Sequence, residues 1–447
     1  MRALPLILAL CIAPACIGFS GGVIPDSGRF AQEPDETATP EDTDTLELPA
    51  WMGTGDDGAL ELSEHFVLDE DLHGGREWPD AVHYAVQSIS GATVTTSEEA
   101  QGLAAGDEAV LINLGGIATD YGTVGAWALV EIAAVDGATV ELGTDPGVLF
   151  AEAGNEDLGG QTVVLQRVPN YTNVTLHSGA TLTVTPWDRS GGGLMFLRAT
   201  GGLHVQGSAA IDLTGLGYDG GRVESAGCDG YQGESIAGGG LGGACGGSYN
   251  EGIGADAANM GGGGCNITGA GGGHGSYGLP GEAWSSGYSA PSGGNTYGDE
   301  ALTALHLGSG GGGVWNGSDG TEAPGGDGGG IAVVAAASIT VDDGGEIRTL
   351  GSDTAGWSTG SYSYGAGGGA GGTLWLITQV LSAAEHSLIA RGGAGESSHD
   401  RYGGDGGDGR VRVDCQVCNG AEHASSEATE ALALASDPDP GFSEAPE

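Results

Sequence analysis

Apolar and polar residues alternate in short runs between residues 84 and 168. The runs include DEAVLINL, WALVEIAAV and QTVVLQRV, and turn-forming residues separate them. Alternation over about four to eight residues, bounded by Gly, Asp or Ser, is typical of half-buried β-strands. The pattern therefore predicts a small β-barrel or β-sandwich over residues 81–168.

A longer pattern recurs downstream. Residues 192–217, 329–352 and 371–395 each contain a Gly pair, an apolar strand, a second strand, a turn and a short third strand that ends in Gly. Residues 171–192 fit as an earlier copy. A repeat of this length cannot bury its own apolar face, so such repeats stack as rungs of a β-solenoid. We predict a glycine-rich, β-solenoid-like domain over residues 169–418.

The 93 glycines of the chain concentrate between these repeats, where they make up about a third of residues 211–330 and most of residues 365–372. No sustained Gly-X-Y register accompanies them, so a collagen triple helix is excluded. Flexible linkers are one interpretation, because glycine loses the most backbone entropy on ordering. Aromatic residues such as Trp284 and Trp315 within the stretches favour ordered packing instead. The predicted fold is all-β, with a small barrel or sandwich followed by solenoid rungs and packed polyglycine helices.

The two ends of the chain differ from this body. Residues 1–15 combine one Arg, an apolar run and the small residues Ala13 and Ala15, as a secretory signal peptide does. Cys16 follows directly and resembles the acceptor of a bacterial lipoprotein signal, although Ala stands where Leu is usual. Two alternatives stay open, an outer-membrane lipid anchor through Cys16 and plain secretion. Ile17 favours the outer membrane for a lipidated form.

Charge narrows the possible partners. The formal net charge is −48, with 60 acidic residues against 12 arginines and no lysine. Nucleic acids and anionic lipid surfaces are therefore excluded as partners. Many of the acids lie in residues 16–80 and 419–447, where Pro, Thr, Asp and Glu mix without periodicity. Such segments bury little apolar surface, so we predict an acidic disordered stalk over 16–80 and an acidic disordered tail over 419–447.

Export would place the cysteines in an oxidising compartment, where disulfides form. Cys415 and Cys418 have the CxxC spacing of redox and zinc sites, but no second CxxC and no histidine cluster accompanies them. We predict that they form a structural disulfide at the end of the last strand. The pairing of Cys228, Cys245 and Cys265 stays open.

Candidate catalytic residues are few. The absence of lysine removes P-loop and Schiff-base mechanisms, and no histidines have metal-ligand spacing, so we predict neither cofactor nor metal. A carbohydrate-active enzyme remains the alternative, because carboxylates on neighbouring rungs can act as acid and base. Its candidates are Asp212, Asp342, Asp343 and Glu346, which Asp-Gly turns also explain without catalysis.

Calcium binding is a separate possibility at residues 403–409. This segment reads GGDGGDG and places Asp405 and Asp408 three residues apart, near the GGxGxD repeat of calcium-binding β-rolls. A single imperfect copy does not supply stacked half-sites. We expect a solvated turn here, with specific calcium binding as the alternative.

Residues 85–413 resemble a widespread class of exported glycine-rich bacterial proteins. The most specific pieces are RVPNYT at 167–172 and LGSGGGG at 307–313. The glycine-rich part is also similar in texture to the ectodomain of the anaplastic lymphoma kinase family and to phage tail adhesins. The resemblance implies location and architecture rather than activity. We predict a non-enzymatic, structural or adhesive protein of the cell envelope that contacts a surface glycan or protein, with a polysaccharide lyase or hydrolase as the alternative.

Overall fold

The computed structural model describes residues 52–147, 149–150, 158–222, 230–239, 260–263, 268–283, 290–316, 321–354, 357–359, 362–396 and 402–420. The predicted signal peptide, Cys16, the cysteines Cys228, Cys245 and Cys265, and all but the first two residues of the predicted tail lie outside these ranges. Within the described residues, no helix is long and apolar enough to cross a membrane.

All 24 elements in this part of the chain are β-strands, so the all-β prediction is confirmed. In chain order they are β1 (Ala59–Leu62), β2 (His65–Val67), β3 (His83–Ser90), β4 (Thr93–Thr96), β5 (Glu108–Gly115), β6 (Trp127–Asp136), β7 (Thr139–Leu142), β8 (Thr162–Arg167), β9 (Asn170–Tyr171), β10 (Asn173–Leu176), β11 (Thr181–Thr183), β12 (Leu194–Val205), β13 (Ala210–Asp212), β14 (Glu234–Ser235), β15 (Gly238–Gly239), β16 (Val314–Asn316), β17 (Thr321–Ala323), β18 (Ile331–Val341), β19 (Glu346–Arg348), β20 (Trp357–Thr359), β21 (Tyr362–Tyr364), β22 (Thr373–Ala383), β23 (Leu388–Ile389) and β24 (Arg410–Asn419).

Two parallel sheets form the solenoid. One has the order β1-β10-β12-β18-β22-β24, with β9 also paired to β12, and the other has the order β2-β11-β13-β19-β23. The register places Leu197, Val334, Leu376 and Val413 in one line across four strands. Aliphatic side chains therefore stack from rung to rung and form a continuous core between the sheets.

The three longest repeated strands are buried on both faces over their first six residues. In β22, Leu374 and Leu376 face the solenoid core, whereas Trp375 and Ile377 face the barrel and the loops around it. Parallel strands covered on both faces have near-continuous apolar sequences, as these do. Each strand is partly exposed beyond this point, and a register shift between Ala199 and Gly202 marks the change in β12.

The strands β3, β4, β7, β6, β5 and β8 close into a barrel in that order. Leu111 and Leu165 point into the barrel core, while Val110 and Ile112 on the other face of β5 pack against the solenoid. Trp127 of β6 lies edge-on to Trp375, with ring centroids 6.0 Å apart. The barrel is thus attached to the solenoid by apolar packing.

The prediction of a disordered stalk is wrong for residues 59–67. β1 and β2 pair in parallel with β10 and β11 and form the first rung, in which Leu60 and Leu62 are buried. The barrel is therefore an insertion between the first and second rungs. The acidic composition of this segment did not indicate disorder here. The side chain of Asp57 is buried and accepts hydrogen bonds from Arg167 (2.7 Å) and Arg76 (3.1 Å).

Glycine segments pack against one another through their backbones, as predicted. The amide of Gly312 donates to Ala270 O (2.8 Å), and the amide of Gly367 donates to Gly312 O (2.9 Å). A Cβ atom on Gly271 would lie 1.8 Å from the carbonyl oxygen of Asp405, so no side chain fits there. Gly271 does not have a positive φ. Glycine is required here for close approach and not for a left-handed conformation.

Candidate functional site

A groove of 580 Å³ crosses the surface of the packed glycine segments. Its backbone comes from four extended segments, residues 275–279, 350–354, 391–395 and 403–409. The side chains that line it include those of Tyr277, Leu279, Asp353, Arg391, Asp405 and Asp408. We call this site the groove.

The four segments lie side by side in a defined order. The amide of Gly351 donates to Arg391 O (3.0 Å), and that of Gly406 donates to Gly393 O (2.9 Å). The segment 275–279 then hydrogen bonds to the outer side of 403–409. Segment 391–395 therefore lies in the middle, with one neighbour on each side.

The three aspartates of the groove each accept a hydrogen bond from a backbone amide of the middle segment. The pairs are Ala394 N to Asp353 Oδ1 (2.7 Å), Gly395 N to Asp405 Oδ1 (2.8 Å) and Gly392 N to Asp408 Oδ1 (3.1 Å). A polyproline II helix has three residues per turn, so residues three apart project on the same side. This period explains why the aspartates of GGDGGDG reach the same neighbouring segment.

The expected solvated turn at residues 403–409 is wrong, because these residues form an extended segment within the glycine layer. One oxygen of Asp405 and one of Asp408 bind backbone amides, as described above. Among the described residues, no group of three or more His, Cys, Asp or Glu side chains is arranged to hold a metal ion. The GGD repeat thus has a structural role in joining neighbouring segments.

Sequence analysis missed Arg391, together with Tyr277, Leu279 and Asp353 of the groove. The Arg391 side chain is exposed and, among the nine arginines in the described part of the chain, it alone makes no side-chain hydrogen bond or ion pair. In a lysine-free chain, an arginine within a glycine segment was a signal for this site.

Large apolar side chains are exposed around the groove. Tyr277 is 66% exposed and Leu279 is 52% exposed. Tyr402, three residues before Asp405 on the same segment, is 46% exposed. These three belong to the eight large hydrophobic residues that are most exposed in the described chain, so the groove combines apolar and charged groups on one surface.

Two of the candidate catalytic carboxylates, Asp212 and Glu346, lie in the rungs and form ion pairs. Arg348 of β19 contacts Glu346 of the same strand (2.5 Å) and Asp212 of the neighbouring strand β13 (2.6 Å). Burial raises the pKa of Asp212, but hydrogen bonds from Arg348 and Thr214 outweigh it and lower the pKa below its ordinary value. A carboxyl group held ionised in this way cannot serve as a general acid.

Asp342 and Asp343 lie at the exposed turn after β18. Nε2 of His204 lies 2.9 Å from a carboxylate oxygen of Asp342, and both side chains are exposed. Neither aspartate lines the groove. The structure therefore does not bring the rung candidates together with the groove residues.

Glu234 is a buried carboxylate that no sequence pattern indicated. It accepts hydrogen bonds from Trp187 Nε1 (3.1 Å) and Arg189 Nε (3.1 Å). Burial raises its pKa, against the opposing effect of Arg189. Because its oxygens bind groups from the segment between β11 and β12, Glu234 has a structural role in joining the β14–β15 hairpin to the solenoid.

Cys415 and Cys418 form a disulfide within β24, with their Cα atoms 5.5 Å apart. Both residues are partly buried and pack against the solenoid core at its last strand. Neither cysteine lines the groove.

Comparisons with known proteins identify no family. No protein-family model matches the chain, and no curated protein does. Among solved structures, the chain is similar to the tailspike of Pseudomonas phage LKA1, with 15% identity over 29% of this chain and 25% of that chain and a TM-score of 0.15. A second similar structure is the tailspike of Acinetobacter baumannii phage AP22, which was solved in complex with A. baumannii capsular saccharide. It is 13% identical over 35% of this chain and 30% of that chain, with a TM-score of 0.17. The tailspike of Pseudomonas phage phi297 is 14% identical over 35% of this chain and 26% of that chain, with a TM-score of 0.16.

The chain thus matches less than a third of the length of each tailspike. TM-scores this low carry no argument about function.

Proposed function

We propose that this chain is an exported, non-enzymatic protein of the bacterial cell envelope, structural or adhesive in role, that holds a surface glycan in the groove. The observation that carries the proposal is the combination of the exposed Tyr277 ring, the unpaired Arg391 side chain and fixed aspartates on one concave surface. A sugar has an apolar C–H face that packs on an aromatic ring, and hydroxyl groups that hydrogen bond to carboxylates and guanidinium. The groove offers a partner for each of these groups.

Rigidity of the groove supports binding. Backbone hydrogen bonds join all four of its segments, and the aspartates are held by the amides of residues 392–395. A surface ordered before binding loses less conformational entropy when the ligand arrives. The packed glycine segments thus provide a stable support for a weakly interacting ligand such as a glycan.

The absence of turnover is part of the proposal. A glycoside hydrolase needs a carboxyl group that keeps its proton near neutral pH and a second that stays ionised. Asp353, Asp405 and Asp408 each accept a backbone amide through one carboxylate oxygen. We propose that these carboxylates hold sugar hydroxyls as hydrogen-bond acceptors and do not act as an acid–base pair.

Export remains a proposal based on the sequence. We propose cleavage after Ala15, followed either by lipid attachment at Cys16 and an outer-membrane location or by secretion. Mass spectrometry of the mature N-terminus tests this: an acylated Cys16 identifies a lipoprotein, and an unmodified one indicates secretion. Retention of residues 1–15 would overturn the export proposal.

The binding proposal is tested with the mature protein on an array of neutral and acidic glycans. We expect at least one glycan class to bind and the variant Tyr277→Ala to lose about tenfold or more in affinity, as expected for removal of an aromatic contact. Val380→Ala, at an exposed apolar site of β22, is the matched control and should bind normally. Binding that survives Tyr277→Ala unchanged would remove the groove from the proposal, and sustained release of sugar ends would contradict the non-enzymatic assignment.

A further inference from the structure

We infer that the groove selects neutral saccharides and discriminates against acidic ones such as uronic-acid or sulfated glycans. This inference rests on the proposed function, and it adds the ligand class. It is carried by the charge and the hydrogen-bonding capacity of the groove side chains.

The groove has an excess of negative charge. Its charged side chains are Asp353, Asp405, Asp408 and Arg391, which leave a formal charge of −2. Arg391 does not form a separate cationic site, because Asp408 binds the amide of Gly392, the next residue along the chain. An anion that approaches the guanidinium therefore also approaches carboxylates. The rest of the chain adds to this repulsion, since its net charge is −48.

Hydrogen-bonding capacity leads to the same conclusion. Asp353 and Asp405 each use one oxygen to accept a backbone amide, and the second oxygen of each accepts no hydrogen bond from the described residues. An ionised carboxylate can only accept hydrogen bonds. The hydroxyl groups of a neutral sugar can donate to these oxygens, whereas the carboxylate of a uronic acid cannot. Arg391 can then donate to ring or hydroxyl oxygens of the same sugar.

The test compares glycans that differ only in charge. Glucose hexasaccharides with α-1,4, β-1,4 and β-1,3 linkages are measured beside their C6-oxidised uronic-acid forms, together with the mixed glycan array, at 0.05 M and 1 M NaCl. For every scaffold that binds, we expect the acidic form to bind about tenfold more weakly at low salt. The difference should shrink at 1 M NaCl, where the screening length falls to about 3 Å.

The double variant Asp353→Asn/Asp405→Asn locates the effect. Asparagine keeps the oxygen that accepts from Ala394 and Gly395, so the backbone pairing is retained while two negative charges are removed. We expect this variant to raise affinity for the acidic glycans by several-fold and to lower affinity for the neutral ones, because the second carboxylate oxygen, which accepts from a sugar hydroxyl, becomes an amide NH2 group that cannot accept. Asp342→Asn/Asp343→Asn removes the same charge outside the groove and is the matched control. Thermal unfolding of each variant verifies that it is folded.

The outcomes separate this inference from the proposed function. If no glycan of the array binds, the proposed function fails and the inference fails with it. If acidic glycans bind as tightly as neutral ones at 0.05 M NaCl, only the inference is overturned. The inference is also overturned if the groove double variant and the control double variant change the affinity for acidic glycans equally. The discrimination would then come from the overall charge of the protein.

Discussion

The rungs and the glycine segments exclude water by different means. In the rungs, side chains such as Leu197, Val334 and Leu376 are fully buried and stack in register. Residues 305–314 and 365–372 are also buried without a break, although many are glycine. In the glycine segments the backbone itself fills the space that side chains occupy in the rungs.

This difference changes what a substitution does. A core of side chains can adapt to a smaller residue by leaving a cavity. A layer of touching backbones cannot adapt to a larger one, because the obstacle is a carbonyl group fixed by its own hydrogen bonds. The rungs should therefore tolerate truncation better than the glycine segments tolerate the addition of one methyl group.

Hydrogen exchange gives the broadest test of this comparison. The amides of Gly271 and Gly312 donate to Leu279 O (2.9 Å) and Ala270 O (2.8 Å) inside the glycine layer. We expect their exchange to be slowed by about 10⁴-fold or more, like that of the amides in β18 and β22. Fast exchange in the glycine segments with protection in the rungs alone would show that the layer is not stably formed.

Adding one methyl group to the glycine layer should have the largest effect on stability. In Gly271→Ala the new Cβ would lie 1.8 Å from Asp405 O, and we expect a loss of at least about 4 kcal/mol or failure to fold. Gly122→Ala is the matched control, since a Cβ at Gly122 meets nothing within 4 Å. It should change the free energy of unfolding in urea by less than about 0.5 kcal/mol. Equal stability of the two variants would contradict the packed backbone layer.

Truncation in the rungs should have a smaller effect. Leu376→Ala removes a fully buried side chain that stacks between Val334 and Val413, and we expect a loss of about 2 to 5 kcal/mol with a folded product. Val380→Ala, on the exposed part of the same strand, should cost far less. Urea unfolding of both variants gives the comparison. If Leu376→Ala lost more free energy of unfolding than Gly271→Ala, the rungs would be less tolerant of substitution than the glycine segments.

Much of the fold could be predicted from sequence because periodicity reports burial directly. The first halves of β12, β18 and β22 have near-continuous apolar sequences and repeat at similar spacing, which is how stacked parallel strands must look. The first rung was missed because β1 and β2 are short and lie among acids. Composition could not reveal that the Asp57 side chain is buried beside arginines, since its partners Arg76 and Arg167 lie 19 and 110 positions away in the chain.

The groove was less accessible to sequence analysis. Asp405 and Asp408 were noticed for their spacing, but their hydrogen bonds depend on residues 392–395, which a single sequence cannot place beside them. Tyr277 and Arg391 are more than 100 positions apart and meet only because the glycine segments align. The available signals were the three-residue period of the glycine-rich sequence and an arginine within a glycine segment.

Acidification should weaken the contact between the glycine layer and the rungs. Burial lowers the pKa of His274 to about 3 and that of His306 to about 4, and Nδ1 of His274 hydrogen bonds to Gly371 O (2.8 Å). Both rings therefore stay neutral in the folded protein, while the unfolded chain takes up protons below about pH 6.5. The contribution of the two histidines to stability is fully present above pH 6.5 and falls as the pH decreases towards 4, by roughly 1 kcal/mol per pH unit for each histidine.

Urea unfolding at pH 7, 6 and 5 measures this slope. Carboxylates contribute to it as well, so the variant His306→Phe isolates one histidine. We expect the variant to lose roughly 1 kcal/mol less than the unaltered protein between pH 6 and 5. Identical slopes for the two proteins would contradict a buried neutral His306.

The disulfide should contribute least among these features. Cys415 and Cys418 are three residues apart, so their bond closes a very short loop and restricts the unfolded chain little. The chain-entropy model gives about 2 kcal/mol for such a loop, and we expect the variant Cys415→Ala/Cys418→Ala to lose no more than that. Urea unfolding of the variant, and of the unaltered protein with and without reductant, measures the loss. A loss greater than that of Leu376→Ala would mean that the last strand depends on its cross-link more than on the core, and that stacking alone does not hold the end of the solenoid.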